Sequence, residues 1–102
     1  MKKIYIAGKI AGDSEYLSKF FAAEQQLRQA DPDAVALNPA RNPEGLSQAE
    51  YMRLSFAMID AADCVVALPD ACISPGARLE LCYCEYTGKP VRMLAEVLRN
   101  GI

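Results

Sequence analysis

Four short apolar, β-prone segments separated by three amphipathic ones constrain this chain more than any other feature. The segments are "KKIYIAG" at residues 2–8, "AVALNP" at 34–39, "CVVAL" at 64–68 and "VRMLA" at 91–95. The first alternates and is rich in β-branched residues, whereas the third is continuously apolar, as expected of a strand covered on both faces. Strands that alternate with helices form an open parallel sheet with helices on both sides, because a parallel neighbour is reached only by a crossover. The chain therefore reads as one α/β domain spanning residues 1–102.

The helices between these strands carry their own start and stop signals. The first is expected from Asp13, capped by Asp13 or Ser14, with Tyr16, Phe20, Ala23 and Leu27 on one face and a stop at Asp31-Pro32. Ser47 and Glu50 form a capping box that opens the second helix, which runs to about Ala62. Ser74 caps the third, Pro75 takes its first position, and Gly88-Lys89-Pro90 ends it. The segment "ARNPEG" is read as loop, as is Pro69 to Ile73, and the tail to Ile102 as a helical turn or a frayed end. In such sheets ligands bind beyond the carboxyl ends of the strands, where strand order reverses. Three segments lead off those ends: "GKIAGD", "NPARNP" and "PDACISPGA".

Composition excludes several function classes. A net charge of −2 leaves no basic stripe to neutralise a phosphate backbone, so no nucleic-acid polymer is expected as partner. No run approaches the ~20 apolar residues of a membrane span. The opening Met1-Lys2-Lys3-Ile4 is basic then apolar, but the run breaks at Gly8-Lys9; no targeting segment and no membrane partner are expected, and the compartment is read as the cytoplasm. The cysteines Cys64, Cys72, Cys82 and Cys84 lack C-x-x-C spacing and the chain has no histidine, so neither a metal site nor a cofactor is expected. Cys64, inside the third strand, reads as a small core residue. Without histidine, acid–base or nucleophilic chemistry rests on carboxylates, Tyr, Lys, Cys or Ser.

One carboxylate is placed against the pattern. Counting about 100° per residue along the third helix, Arg78 and Glu85 mark the solvent face and Glu80 falls on the opposite side, beside Leu81. An inward glutamate is paired, protonated or functional, since burying an isolated charge is costly. It is expected either to act at a site or to pair with a backbone group or Lys9, unless the helix is rotated and Glu80 sits at the rim. Tyr5, near the carboxyl end of the first strand, is placed for its hydroxyl to reach that helix, or to pack in the core with the hydroxyl at the edge. Ser74-Pro75-Gly76-Ala77 reads either as an anion seat or as an ordinary cap. "GKIAG" is too short for a dinucleotide fingerprint.

"IYIAGKIAG" at residues 4–12 and "SPGARLE" at residues 74–80 resemble motifs of the nucleoside 2-deoxyribosyltransferase family, including its branch of 2'-deoxynucleoside 5'-phosphate N-hydrolases. Short phage and bacterial members of that family are the most similar in character. The resemblance implies a flavodoxin-like open parallel sheet of four or five strands, a small-molecule nucleotide as ligand, and a homodimer or larger assembly. The chain offers Phe56 and Phe21 as exposed apolar residues for such contacts. The resemblance also implies that Glu80 is the nucleophile, Tyr5 its orienting phenol, and Ser74 a contact to the 5'-phosphate where the transferases carry an aspartate. Gly8, Lys9, Ile10 and Gly12 would line the phosphate loop with Gly76, while Asn38 and Arg41 are candidates for contacts to the base. The family's aspartate near the leaving base is replaced here by Ser55. Asp60 lies on the wrong side of its helix, and Asp70, at the correct sheet edge, is the second choice for that role. The implied activity is hydrolysis or base exchange at an N-glycosidic bond. The alternative is a nucleotide-binding or phage accessory module that keeps the pocket without turnover.

Overall fold

The computed structural model describes residues 2–102. Its sheet has four strands, β1 (Lys3–Ala7), β2 (Val35–Leu37), β3 (Cys64–Ala67) and β4 (Val91–Met93), in the order β2-β1-β3-β4 and all parallel. That is the flavodoxin-like arrangement with one strand fewer, and its order reverses between β1 and β3. The register sets Tyr5 opposite Leu37 on one side and Val65 on the other.

Alternation along β1 divides the core in two. Ile4 and Ile6 pack with Phe20, Ala23 and Leu27 of α1 (Tyr16–Ala30), and with Val97 of α4 (Leu94–Asn100). Tyr5 and Ala7 face the other way, onto Ile59 of α2 (Gln48–Ala61) and Cys84 of α3 (Pro75–Thr87). Cys64 lies in the first core, and β3 is buried along its whole length, as its continuous apolar run requires. Among the described residues no helix is long and apolar enough to cross a membrane.

The local signals hold with three corrections. Helix α1 starts at Tyr16, and neither Asp13 nor Ser14 caps it. The Asp13 carboxylate instead accepts the Glu15 N–H at 2.9 Å and the Lys19 ammonium at 2.5 Å, so it closes a turn before the helix begins. At the C-terminus the strand stops at Met93, and residues 94–100 form a helix that buries Val97 rather than a frayed end. The second strand ends at Leu37, and 3-10 turns form at Pro39–Arg41, across the end of "AVALNP" and the start of "ARNPEG", and at Ala71–Ile73 in the segment read as loop. The capping box at Ser47 and Glu50 forms as expected, with both reciprocal bonds in place. Phe56 is half-buried against the Tyr83 ring, centroids 4.3 Å apart, and is not a free apolar surface. Phe21 is 38% exposed, with the Arg41 guanidinium over its ring.

Candidate functional site

A cavity of about 490 Å³ opens at the carboxyl ends of β1 and β3, within the usual size of a small-molecule site. Its walls come from five parts of the chain, one of them Tyr16 at the start of α1. Gly8, Ile10 and Ala11 follow β1, and Pro39, Ala40 and Asn42 follow β2. Helix α2 supplies Gln48, Tyr51, Met52 and Ser55, while the start of α3 supplies Ser74 through Ala77 and then Glu80.

Glu80 is 8% exposed and lies on the inward face, as the helical count requires. The Tyr5 hydroxyl, fully buried, donates to Glu80 Oε1 at 2.9 Å across 75 residues of sequence. Among the described residues no Lys or Arg pairs with Glu80, so its charge is met only by hydroxyls. Burial raises its pKa to about 7, against the opposing pull of the Tyr5 and Ser55 hydroxyls. Burial, reinforced by the facing carboxylate, holds the Tyr5 phenol well above its ordinary range. Tyr5 therefore remains a donor while Glu80 changes state near neutrality. Ser55, 5% exposed, sits on the inward face of α2 beside this pair.

The start of α3 forms the second part of the site. Ser74 Oγ accepts the Ala77 N–H at 3.3 Å, which leaves the hydroxyl proton free to donate. Pro75 has no N–H, and the Gly76 amide in the first turn has no intrahelical acceptor. Neutral donors thus gather at the positive end of a helix, an arrangement suited to an anion. Gly8 is tightly placed: a Cβ there would come within 2.8 Å of Leu68 Cδ1 and 3.1 Å of Phe20 Cζ. A side chain there would have to displace Leu68 and Phe20.

The structure brings Tyr5, Glu80, Ser74, Gly76, Gly8 and Ile10 together and leaves five other candidates off the cavity wall. Lys9 uses its N–H on Asp70 Oδ1 at 3.0 Å, and Gly12 occupies a left-handed turn at φ +79° beyond the wall. Asp70 does not line the cavity: its carboxylate accepts from Lys9 N–H and from the Lys19 ammonium, and so ties the loop after β3 to the loop after β1. Asn38 is 3% exposed and structural, with Oδ1 accepting from Ala40 N–H and Nδ2 donating to Glu24 Oε1. Arg41 is likewise held by Glu24, through Nη2 at 2.7 Å, rather than turned to the cavity.

Sequence reasoning missed Glu24, the second buried carboxylate. It is 5% exposed and held below the usual carboxylate range, chiefly by Arg41 and also by Asn38. Its position on the inward side of α1, one residue past Ala23, was the available signal. The remaining wall residues, Tyr16, Asn42, Gln48, Tyr51 and Met52, carry no motif and meet only through the fold.

The solved structure of a 2-desoxiribosyltransferase from Leishmania mexicana aligns with 91% of this chain at a TM-score of 0.68 and 24% sequence identity. The match covers 63% of that protein, so this chain spans somewhat under two thirds of its length, and the likeness is one of fold. No curated protein matches the chain. Residues 2–93 match the family model described as "Domain of unknown function (DUF4406)", and the chain belongs to that family.

Proposed function

We propose that the protein breaks the N-glycosidic bond of (deoxy)nucleoside 5'-monophosphates, with Glu80 as nucleophile. The observation that carries this reading is the buried Tyr5–Glu80 pair at a cavity beyond the strand ends, with no Lys or Arg among the described residues paired to the carboxylate. Breaking the bond develops positive charge at the anomeric carbon. A carboxylate there stabilises that charge and traps it as a glycosyl ester, as in retaining glycosidases. Glu80 Oε attacks the anomeric carbon while the carbon–nitrogen bond breaks and the base departs with the electron pair. Water, or the nitrogen of a second base, then attacks the same carbon and releases the carboxylate. Ser74 and the Gly76 amide, with the backbone of Gly8 and Ile10, receive the 5'-phosphate as neutral donors. Tyr5 orients the carboxylate. That the Leishmania neighbour is a 2-desoxiribosyltransferase fits glycosyl transfer by this fold.

A second reading, a nucleotide-binding module without turnover, is favoured by one observation: Glu80 is the only carboxylate among the residues lining the cavity. The experiment incubates the protein and its Glu80→Gln variant with a panel of nucleoside and deoxynucleoside 5'-monophosphates, with and without a second base, and separates free base by chromatography. Release or exchange by the wild type alone is the expected result. Thermal stabilisation by a monophosphate with neither release nor exchange would establish the binding module instead.

A further inference from the structure

Among the residues lining the cavity Glu80 is the single charged group, and several of the charges near it are engaged elsewhere. Arg41 is held by Glu24, and Lys19 by Asp13 and Asp70. Asp60 accepts the Tyr83 hydroxyl at the surface, and Asp63 accepts the Lys3 N–H. The Tyr51 hydroxyl donates to the Pro43 carbonyl at 2.8 Å, and the Tyr5 hydroxyl to Glu80. The other polar side chains lining the cavity beside Glu80 are hydroxyl, phenol and carboxamide: Ser55, which also bonds Glu80, Ser74, Tyr16, Gln48, and Asn42, whose Nδ2 is 3.8 Å from Met58 Sδ. Such groups donate hydrogen bonds, but they hold their protons far more tightly at neutral pH than a carboxylic acid does.

This distribution bears on the leaving group. A neutral nucleobase departs as an anion and must be protonated as it leaves. A base whose glycosidic nitrogen belongs to a cationic ring departs neutral: the electron pair of the breaking bond discharges the cation, and no proton moves. The same cation is attracted to the only charge in the cavity, in surroundings where few other charges compete.

Building on the assignment of Glu80 as nucleophile, we infer that the preferred substrates are nucleoside 5'-monophosphates with a cationic base, an N-alkylated purine or a pyridinium, rather than those with neutral bases. Glu80 Oε bonds to the anomeric carbon, the carbon–nitrogen bond breaks, and the ring leaves uncharged. Water then replaces Glu80 at that carbon and gives up a proton to solvent. The products are the sugar phosphate and the neutral heterocycle.

The test compares 7-methylguanosine 5'-monophosphate with guanosine 5'-monophosphate, each as the ribo- and the 2'-deoxyribonucleotide, and adds nicotinamide mononucleotide as the pyridinium probe. Base release by Glu80→Gln is subtracted from each rate. General acids contribute about 100-fold or more to such steps, so the better cationic substrate is expected to exceed its neutral counterpart by at least about 100-fold. The two cationic probes separate purine from pyridinium preference. A smaller ratio, with guanine release clearly above background, overturns the inference and leaves the glycosidase reading intact. No release from any probe, cationic or neutral, overturns both. Ser55→Asp supplies an independent arm, since a second carboxyl beside Glu80 retains its proton through like-charge repulsion. In a folded Ser55→Asp protein guanine release rises at least about tenfold and the ratio narrows, the size of effect a placed acid gives. An unchanged ratio counts against the inference. If that variant does not fold, the wild-type ratio decides.

Discussion

Replacing Glu80 by Gln is expected to make the protein more stable at alkaline pH while removing its nucleophile. The carboxyl ionises near 4.5 in an unfolded chain and at about 7 in the folded one. Between those values the unfolded state has lost a proton that the native state still holds, so stability falls as pH rises through this window and levels off above about 7. At about 1.4 kcal/mol per pH unit, the gap amounts to roughly 3 kcal/mol of destabilisation above neutrality. Gln carries no charge at any pH, and its carbonyl still accepts the Tyr5 hydroxyl that Glu80 Oε1 accepts at 2.9 Å. The variant and wild type should therefore have similar stability at about pH 4.5 and differ by up to roughly 3 kcal/mol at about pH 8. In a domain of this size that corresponds to a Tm rise on the order of 10 °C. Urea unfolding at several pH values measures the difference, with an unchanged m-value marking a clean comparison. A Glu80→Gln protein no more stable than wild type at pH 8, or a difference that is constant across the pH range, would refute the reasoning. Either result would mean that the carboxylate is solvated or paired in the native state.

Two further perturbations follow from the same contacts. Tyr5→Phe removes a hydroxyl that favours the ionised Glu80, so the glutamate pKa rises further above about 7. A pH–rate profile of base release should show its ascending limb displaced to higher pH, and an unmoved limb would remove Tyr5 from the role of orienting phenol. Glu24→Ala leaves the buried Asn38 amide without its acceptor and frees Arg41, a loss of about 1–3 kcal/mol by urea unfolding. Because the segment these residues hold presents Pro39, Ala40 and Asn42 to the cavity, KM should rise more than kcat falls.

Much of the architecture was legible in the sequence because its signals are local. The alternation of β1, the continuous run of β3, the capping box at Ser47 and the Ser74-Pro75 start of α3 each depend on neighbours a few residues away. The inward setting of Glu80 was legible for the same reason, since helical period alone places it opposite Arg78. The errors arose where a residue's usual local role lost to another contact. Asp13 is a good capping residue, yet its carboxylate turns to Lys19 and Glu15. Asn38 is a good loop residue with a ligand-like side chain, yet it is spent on Glu24, Arg41's own partner. Asp70 lies at the correct edge of the sheet, yet it is bound to Lys19 across 51 residues.

The sequence by itself determined that this chain is a parallel α/β domain, that its third helix begins with hydroxyl and glycine at a strand end, and that this helix turns a glutamate inward. Those properties follow from periodicity and capping, which are read over one or two turns. Only the tertiary structure decided what the glutamate meets. Tyr5 comes from β1, Ser55 from α2 and Glu80 from α3, and they share one buried space because the β1–β3 pairing lays the first strand beneath two later helices. Among the described residues the same packing leaves no Lys or Arg lining that space, and it raises the carboxyl to about 7. Desolvation depends on all the elements that exclude water, so no short stretch of sequence encodes it.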